Sequence, residues 1–491
     1  MSDVLAGIGL LAAAGASGAA ILLPPGRLRA VLMVGAIALF PVLIAGDQWH
    51  AAQIVDLRHD GARIVELLAL ATASIAALTC LFRRWPVLLP LAIVFAIPFR
   101  VPLHAGGDTA NLLVPLYLVI AAAAVATLLR DWSDPPPGHP PRALAWALAA
   151  AVALYALQAL YSEDFSKGLQ NVCFFFVPFT LAYRLLREVA WDRRLLRWVL
   201  IVVGVEATAF VLVGGVEYAS HSLFWNDQII RSAEFHTYFR VNSIFWAPNV
   251  YGRYLALVAV VATGAMLWAR TREAFWILSG LILVLWLGLV PTFSQSSFLA
   301  LLSGLAVLAA IRWSWRWTLA ATALGVVGAV LVIVLVGGSG KLSLDRIGTV
   351  DLSGRGSLIS GGADLFAERP LQGYGSGSFQ AAYREHRTNK DLPVTVSHTE
   401  PVTVAAEQGL LGLLVYLSLV AVALWTLSRG LWNHSSGAAR AAILAAFVAL
   451  LVHTLAYAGF FEDPITWVLL AVGASLAHAE AGEDPVIRDR A

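Results

Sequence analysis

Cysteine is almost missing from this chain of 491 residues: the two present, Cys80 and Cys173, both lie in apolar runs. That excludes a disulfide scaffold, a zinc-finger cluster and a Cys-ligated iron–sulfur centre. Charge is also scarce, at 13% of residues, where a soluble globular protein carries about one quarter. No excess of one sign exists either: 33 Lys+Arg against 31 Asp+Glu leave +2, which gives no electrostatic footprint for nucleic acid. What the chain has instead is 59% hydrophobic residues and a mean hydropathy of +0.76. It also has 17 Trp, many where apolar runs meet polar loops, as interfacial anchors do. This composition predicts an all-α polytopic membrane protein.

A crossing helix needs roughly 20 apolar residues. Such runs occur near 3–23, 30–46, 64–82, 85–99, 111–129, 143–160, 169–186, 197–214, 250–269, 274–291, 296–311, 317–336, 402–427, 440–459 and 464–479. The run at 85–99 is short and holds Pro86, Pro90 and Pro98, so a bent or partly inserted helix is expected. Those at 296–311 and 464–479 are short as well, which gives 13 to 15 spans. Charge supports the higher figure. The loops at 24–29, 83–84, 130–142, 184–197, 270–273, 312–316 and 428–440 carry 17 arginines. The alternate short loops hold only Arg58, Arg63, Arg100, Lys167, Arg231 and Arg240. Positive-inside bias puts the first set in the cytoplasm, and the N-terminus and the 338–401 loop on the opposite side. The first run has almost no basic n-region, so it is expected to remain as a helix rather than act as a signal peptide. No internal repeat stands out.

Five parts follow from this pattern: N-terminal spans over 1–214, spans with an Arg-containing outer segment over 215–337, the polar loop 338–401, C-terminal spans over 402–480 and a tail at 481–491. The outer segment at 215–249 mixes aromatics with Arg231, Glu234, His236 and Arg240, a composition suited to an amphipathic helix on the membrane surface. The 338–401 loop carries Lys341, Arg346, Arg355, Arg369, Arg384, Arg387 and Lys390, then His398 and Glu400. Basic residues facing away from the cytoplasm suggest an anionic ligand, and lipid phosphates are the abundant anions at a membrane. Two glycine motifs mislead. Gly337–Lys341 has Leu335 and Leu342 where a phosphate-binding loop needs Gly and Ser/Thr. Gly373-Tyr374-Gly375-Ser376-Gly377 follows a segment that reads as a helix stopped by Pro370, so a tight turn beside a ligand or another helix is expected.

Several elements come in a recognisable order. Arg240 leads to Pro248-Asn249-Val250-Tyr251-Gly252, then Thr292-Phe293-Ser294-Gln295-Ser296. Gly354-Arg355-Gly356 and Gly373–Phe379 with Tyr383 follow, then His398 and Ala406-Glu407-Gln408-Gly409. Over residues 230–480 this order resembles the O-antigen ligase and polymerase superfamily of bacterial inner membranes. The departures are Gln295 where Ser-Arg is usual, Leu358 where an aromatic is common, and Thr399 where Asn usually follows the His.

The resemblance implies a GT-C-like glycosyltransferase fold with a large periplasmic loop, although 15 spans exceed the family's usual twelve. It implies transfer of a glycan from undecaprenyl pyrophosphate to an acceptor hydroxyl on the periplasmic face, by a polymerase or by a ligase to lipid A-core. Neither a cofactor nor a metal is expected. The expected partners are the lipid-linked donor, a glycan or lipid A-core acceptor, membrane lipid and a chain-length regulator protein. His398 is the candidate base, since imidazole titrates near neutrality. Arg240 and Arg355 are the candidate pyrophosphate cations, with Arg346 and Arg231 in reserve. Arg253, one turn beyond Asn249, is too costly at that depth to face lipid. Asn249, Tyr374, Tyr383 and Glu400 complete the candidate substrate site. Glu206 and His453 are buried polar candidates of open role. Two other classes compete: a transporter of the same lipid-linked glycan, which would favour repeats and intramembrane charge, and an assembly partner without chemistry.

Overall fold

A computed structural model describes residues 3–105, 108–136, 142–223, 239–316, 318, 355–386, 397–429, 431 and 437–480. Among them, helices dominate. They are α1 (Asp3–Leu22), α2 (Arg27–Asp47), α3 (Ala52–His59), α4 (Gly61–Arg84), α5 (Leu88–Ala96), α6 (Val114–Ser133) and α7 (Ala143–Ala159). Next come α8 (Phe165–Asn171), α9 (Val177–Arg187), α10 (Arg193–Ser220), α11 (Pro248–Leu267), α12 (Arg272–Leu289) and α13 (Gln295–Arg312). The polar loop contributes α14 (Arg355–Glu368) and α15 (Phe379–His386), and the chain closes with α16 (Glu400–Ser428), α17 (Gly437–Thr454) and α18 (Pro464–Glu480).

Eleven of the described spans are long and apolar enough to cross a membrane, and Ala143–Ala159 and Pro464–His478 are shorter apolar helices. The predicted run at 85–99 yields only the nine residues of α5, about 14 Å at 1.5 Å per residue and half a crossing. Pro86 and Pro98 bound it. Apart from Thr318, the run at 317–336 lies outside the described residues, as do Arg231, Arg346 and the centre of the 215–249 segment. The start predicted at 111 falls instead in an antiparallel hairpin, β1 (Val101–Ala105) and β2 (Asp108–Leu112), with Val101 opposite Leu112.

Helix contacts rest on small residues, as membrane packing requires. α11 lies against α12, α13 and α17. A Cβ on Gly264 would sit 2.8 Å from Ala442, and one on Gly304 would sit 2.5 Å from Val260. Where a helix is broken, its backbone is satisfied from elsewhere, since lipid offers no hydrogen bonds. Pro178 in α9 has no N–H for the Phe174 carbonyl one turn earlier, in the π-helical turn Val172–Phe176. The Tyr117 hydroxyl donates to that carbonyl at 2.9 Å.

Charge sorts to two ends of the bundle. At one end Arg29 from α2 is buried between Asp131 (2.5 Å) and Glu188, while Arg130 and Arg184 also reach Glu188 at 3.3 and 2.8 Å. These arginines all belong to the predicted basic loop set. The loops of the alternate set meet at the other end, where Arg369 pairs with Glu163 at 2.8 Å and Glu400 binds the 459–460 turn.

Candidate functional site

The site grows from the junction of α10, α11 and α13. Glu217, buried near the end of α10, accepts from the backbone N–H groups of Asn242 (3.2 Å) and Ser243 (2.7 Å), which fixes the bent approach to α11. Arg240 is thereby aimed across it. Its Nε donates to the Thr292 carbonyl at 2.9 Å, and its Nη2 donates to Asn249 Oδ1 at 3.0 Å. Asn249 is therefore a positioning group for Arg240, and Pro248 before it opens α11 at a position where no N–H is needed.

The two span-start motifs meet directly. A Cβ on Gly252 would lie 2.6 Å from Ser297 Oγ, so only glycine permits this approach of α11 to α13. Ser294 caps α13 by accepting from Ser297 N–H, and the Ser294 and Ser297 hydroxyls lie 2.7 Å apart. Ser296 and Ser297 reach His453 Nε2 at 3.2 and 3.4 Å. The His453 ring meets Tyr457 with centroids 5.9 Å apart, and Tyr457 meets His398 at 6.2 Å. His398 is half-buried with a left-handed backbone, φ 63°, one residue before the α16 cap Thr399.

Arg253, buried one turn into α11, pairs through Nη2 with Asp463 at 2.8 Å. Asp463 also accepts from Ile465 N–H at 2.9 Å, capping the start of α18. Arg100, at the exit of α5, shares this neighbourhood: burial pushes its pKa down, and Asp463, Tyr117 and Tyr457 act against that while Arg253 adds to it. Glu400 accepts from Gly459 N–H (2.7 Å) and Phe460 N–H (3.0 Å). Its carboxylate thus braces the 455–463 turn that carries Tyr457 and Asp463.

Tyr374 and Tyr383 lie elsewhere, in a second small core with Leu365, Phe379 and Ala406. Tyr374 donates to Glu368 at 2.5 Å beneath the Arg369 guanidinium, and Tyr383 donates to the Ser357 carbonyl at 3.1 Å. The Tyr374 hydroxyl, held by burial and by Glu368, is pushed up to about 12. Glu368, accepting from Tyr374 and facing His386, is lowered, and His386, donating to the Ala382 carbonyl, is raised. Arg355 opens α14, and its side chain is not among the described groups.

The glycine turn between α14 and α15 is docked on α16. Gly373, Gly375 and Gly377 all have positive φ (65°, 95° and 85°). Glu407, buried in α16, accepts from Gly377 N–H at 2.8 Å and Phe379 N–H at 3.1 Å. α16 itself breaks at Gly409, φ 64°, where Leu410 N–H turns to the Pro370 carbonyl at 2.7 Å. The Ala406–Gly409 motif is therefore a socket for the loop.

Arg240, Asn249, Arg253, His398 and Glu400 are brought to one end of the bundle through this chain of contacts, while Tyr374 and Tyr383 are packed in the second small core. Composition and spacing pointed to none of Arg100, Ser297, Tyr457 or Asp463. For Asp463 a signal existed: Asp-Pro before an apolar run marks a helix start, and a lone acid there suits a buried arginine.

A family model described as O-Antigen ligase matches residues 280–417. The match begins in α12, takes in the Ser294 cap, the polar loop and His398, and ends within α16. No curated protein matches the chain.

Proposed function

We propose that the chain, similar over residues 280–417 to the O-Antigen ligase family, is a glycosyltransferase of the O-antigen ligase and polymerase superfamily that polymerises lipid-linked glycan at the outer face of a bacterial inner membrane, with a fold of the GT-C kind. The donor is a glycan on undecaprenyl pyrophosphate and the acceptor is the terminal hydroxyl of a second lipid-linked glycan. The family match supports the coarser reading, glycosyl transfer by a multi-pass membrane protein in surface-polysaccharide assembly.

One observation carries the assignment of residues: Arg240 and Arg253 are held at the start of α11, and His398 is linked to the same helix start through Tyr457, His453 and Ser297. In the proposed reaction the acceptor oxygen forms a bond to the anomeric carbon and gives its proton to His398. The anomeric C–O bond to phosphate breaks, and its electron pair leaves with polyprenyl pyrophosphate. Arg240 and Arg253 stabilise the charge that develops on the leaving group, with Arg355, Arg231 and Arg346 as further cations from the loops. Asn249 holds Arg240 in its orientation, and Glu400 sets the turn that faces His398. Tyr374 and Tyr383 belong to the loop platform on which the acceptor glycan rests.

The second reading, a ligase to lipid A-core, is favoured by the description of the matching family, O-Antigen ligase. Purified protein in nanodiscs, given one undecaprenyl-pyrophosphate oligosaccharide with and without lipid A-core, separates the two. A ladder from donor alone supports the polymerase; a single shifted lipid A-core product supports the ligase. Replacement of His398, Arg240 or Arg355 by Ala is expected to abolish transfer at normal membrane levels. Wild-type activity in the His398→Ala protein would end its assignment as the base.

A further inference from the structure

Between α14 and α15 the turn Arg369–Gly373 points its backbone inward and its apolar side chains outward. The Arg369 carbonyl accepts from Gly373 N–H at 2.9 Å and the Pro370 carbonyl from Leu410 N–H at 2.7 Å. The Gln372 carbonyl accepts from the Tyr161 hydroxyl at 2.7 Å. Pro370 is exposed, and Leu371 at the tip is 69% exposed. Irregular backbone persists at membrane depth only where the protein itself supplies such partners. A turn in water has solvent for its carbonyls and gains nothing from a bare leucine at its tip.

Two helices give the height of this turn. Arg142 before α7 and Arg429 after α16 belong to the basic loop set and lie within electrostatic range of each other, which marks one membrane boundary. Trp425, exposed beside the Arg429 guanidinium, is an interfacial anchor at the same boundary. From Arg142 to Tyr161 the chain climbs about 28 Å at 1.5 Å per residue, and from Arg429 back to Gly409 about 30 Å. The two climbs end together. Tyr161 holds Gln372, and a Cβ on Gly409 would lie 2.3 Å from the Leu371 carbonyl oxygen and 2.8 Å from Gln372 N. A hydrocarbon core about 30 Å thick puts the turn at its outer edge. Below it Leu410, Leu411 and Leu414 are exposed on α16, a helix long and apolar enough to cross a membrane. Leu371, joined to that face through the Pro370–Leu410 bond, extends it outward.

We propose that this turn is a membrane anchor: Pro370 and Leu371 lie among the outer-leaflet acyl chains beside α16 and hold α14 and α15 at the bilayer surface. The partner is the lipid itself, continuous with the lipid around α16. Arg369 at the start of the turn reaches Glu163 at 2.8 Å and lies over the Tyr374 ring, which keeps its charge off the apolar tip. The anchor operates whether or not the chain transfers glycan.

The test puts a nitroxide on Leu371→Cys in the full-length Cys80→Ser protein, one copy per nanodisc of phosphatidylethanolamine and phosphatidylglycerol; Cys173 is buried and stays. Oxygen enters hydrocarbon and a polar nickel chelate does not, so the ratio of their collision rates at 371 is expected to be about fivefold that at Ala363. Ala363 is exposed on α14, and a label at the lipid-facing Leu414 gives the upper reference. Pro370→Cys replaces Leu371→Cys should the latter fold poorly. A ratio at 371 equal to that at 363 would overturn the anchor. So would a label that is water-exposed with one copy per nanodisc and shielded from both colliders with two, which would place a second copy on Leu371. Hydrogen exchange gives an independent reading. Leu371→Asp is expected to speed exchange across 369–375 about tenfold in nanodiscs, whereas Leu371→Trp, an interfacial residue, leaves it unchanged. Wild-type exchange in the Leu371→Asp protein would also overturn the anchor.

Discussion

Exchanging Glu407 for Gln should unlatch the glycine turn from α16. The carboxylate gives one oxygen to Gly377 N–H (2.8 Å) and the other to Phe379 N–H (3.1 Å), in a site only 7% exposed. Glutamine keeps the shape but only one acceptor, and its NH₂ would face the remaining N–H donor to donor. The loss is one hydrogen bond, with a buried N–H left unmatched, about 1.5–3 kcal/mol. At 1.4 kcal/mol per tenfold, the turn should open roughly 10- to 150-fold more often. Hydrogen–deuterium exchange on peptides covering 373–379 reads this directly, with a peptide inside α17 as the unchanged reference. The same protection in Glu407→Gln as in wild type would refute the reasoning, and the turn would have to be held by its backbone bonds to α16, such as Tyr374 N–H to the Ala406 carbonyl and Gly375 N–H to the Glu407 carbonyl.

Other changes test neighbouring parts. Gly409→Ala places a Cβ 2.3 Å from the Leu371 carbonyl oxygen at φ 64°, so a loss of folded protein of more than 1–2 kcal/mol is expected in a detergent melt. Arg253→Ala leaves Asp463 buried and unpaired, a cost of about 3–5 kcal/mol, whereas Arg253→Met with Asp463→Leu should recover most of the stability in the same melt without recovering transfer. Gly252→Val forces Ser297 away from α11 at about 1–3 kcal/mol, and transfer should fall because Asn249 moves with it. The Glu368–His386 pair (2.9 Å) gives the loop a pH window. His386 is raised, so its contribution is complete below about 6.5 and is lost as pH rises through its folded value. Glu368 is lowered, so its contribution is present above about 4.5 and is lost as pH falls. Proteolysis of the loop should be slowest between those limits, and a flat profile would remove the pair as a brace.

Hydropathy and the arginine alternation determined by themselves that this is a multi-pass helical membrane protein, because lipid admits only apolar helices and the runs must be long. The motif order likewise carried the resemblance to the O-antigen ligases, and Ser294, His398 and the Ala406–Gly409 stretch lie within the residues that the family model matches. Tertiary structure decided what those residues touch. Nothing local told that Asn249 orients Arg240, that Glu400 serves the 459–460 turn, or that Glu407 is a latch for the loop. Such partners lie tens to hundreds of residues away, and a buried polar group takes whichever partner packing brings to it. The same holds for α5, where proline spacing announced a short helix but only the fold could place its Arg100 exit beside Asp463. Periodicity records what must be buried; the packed bundle alone decides against what.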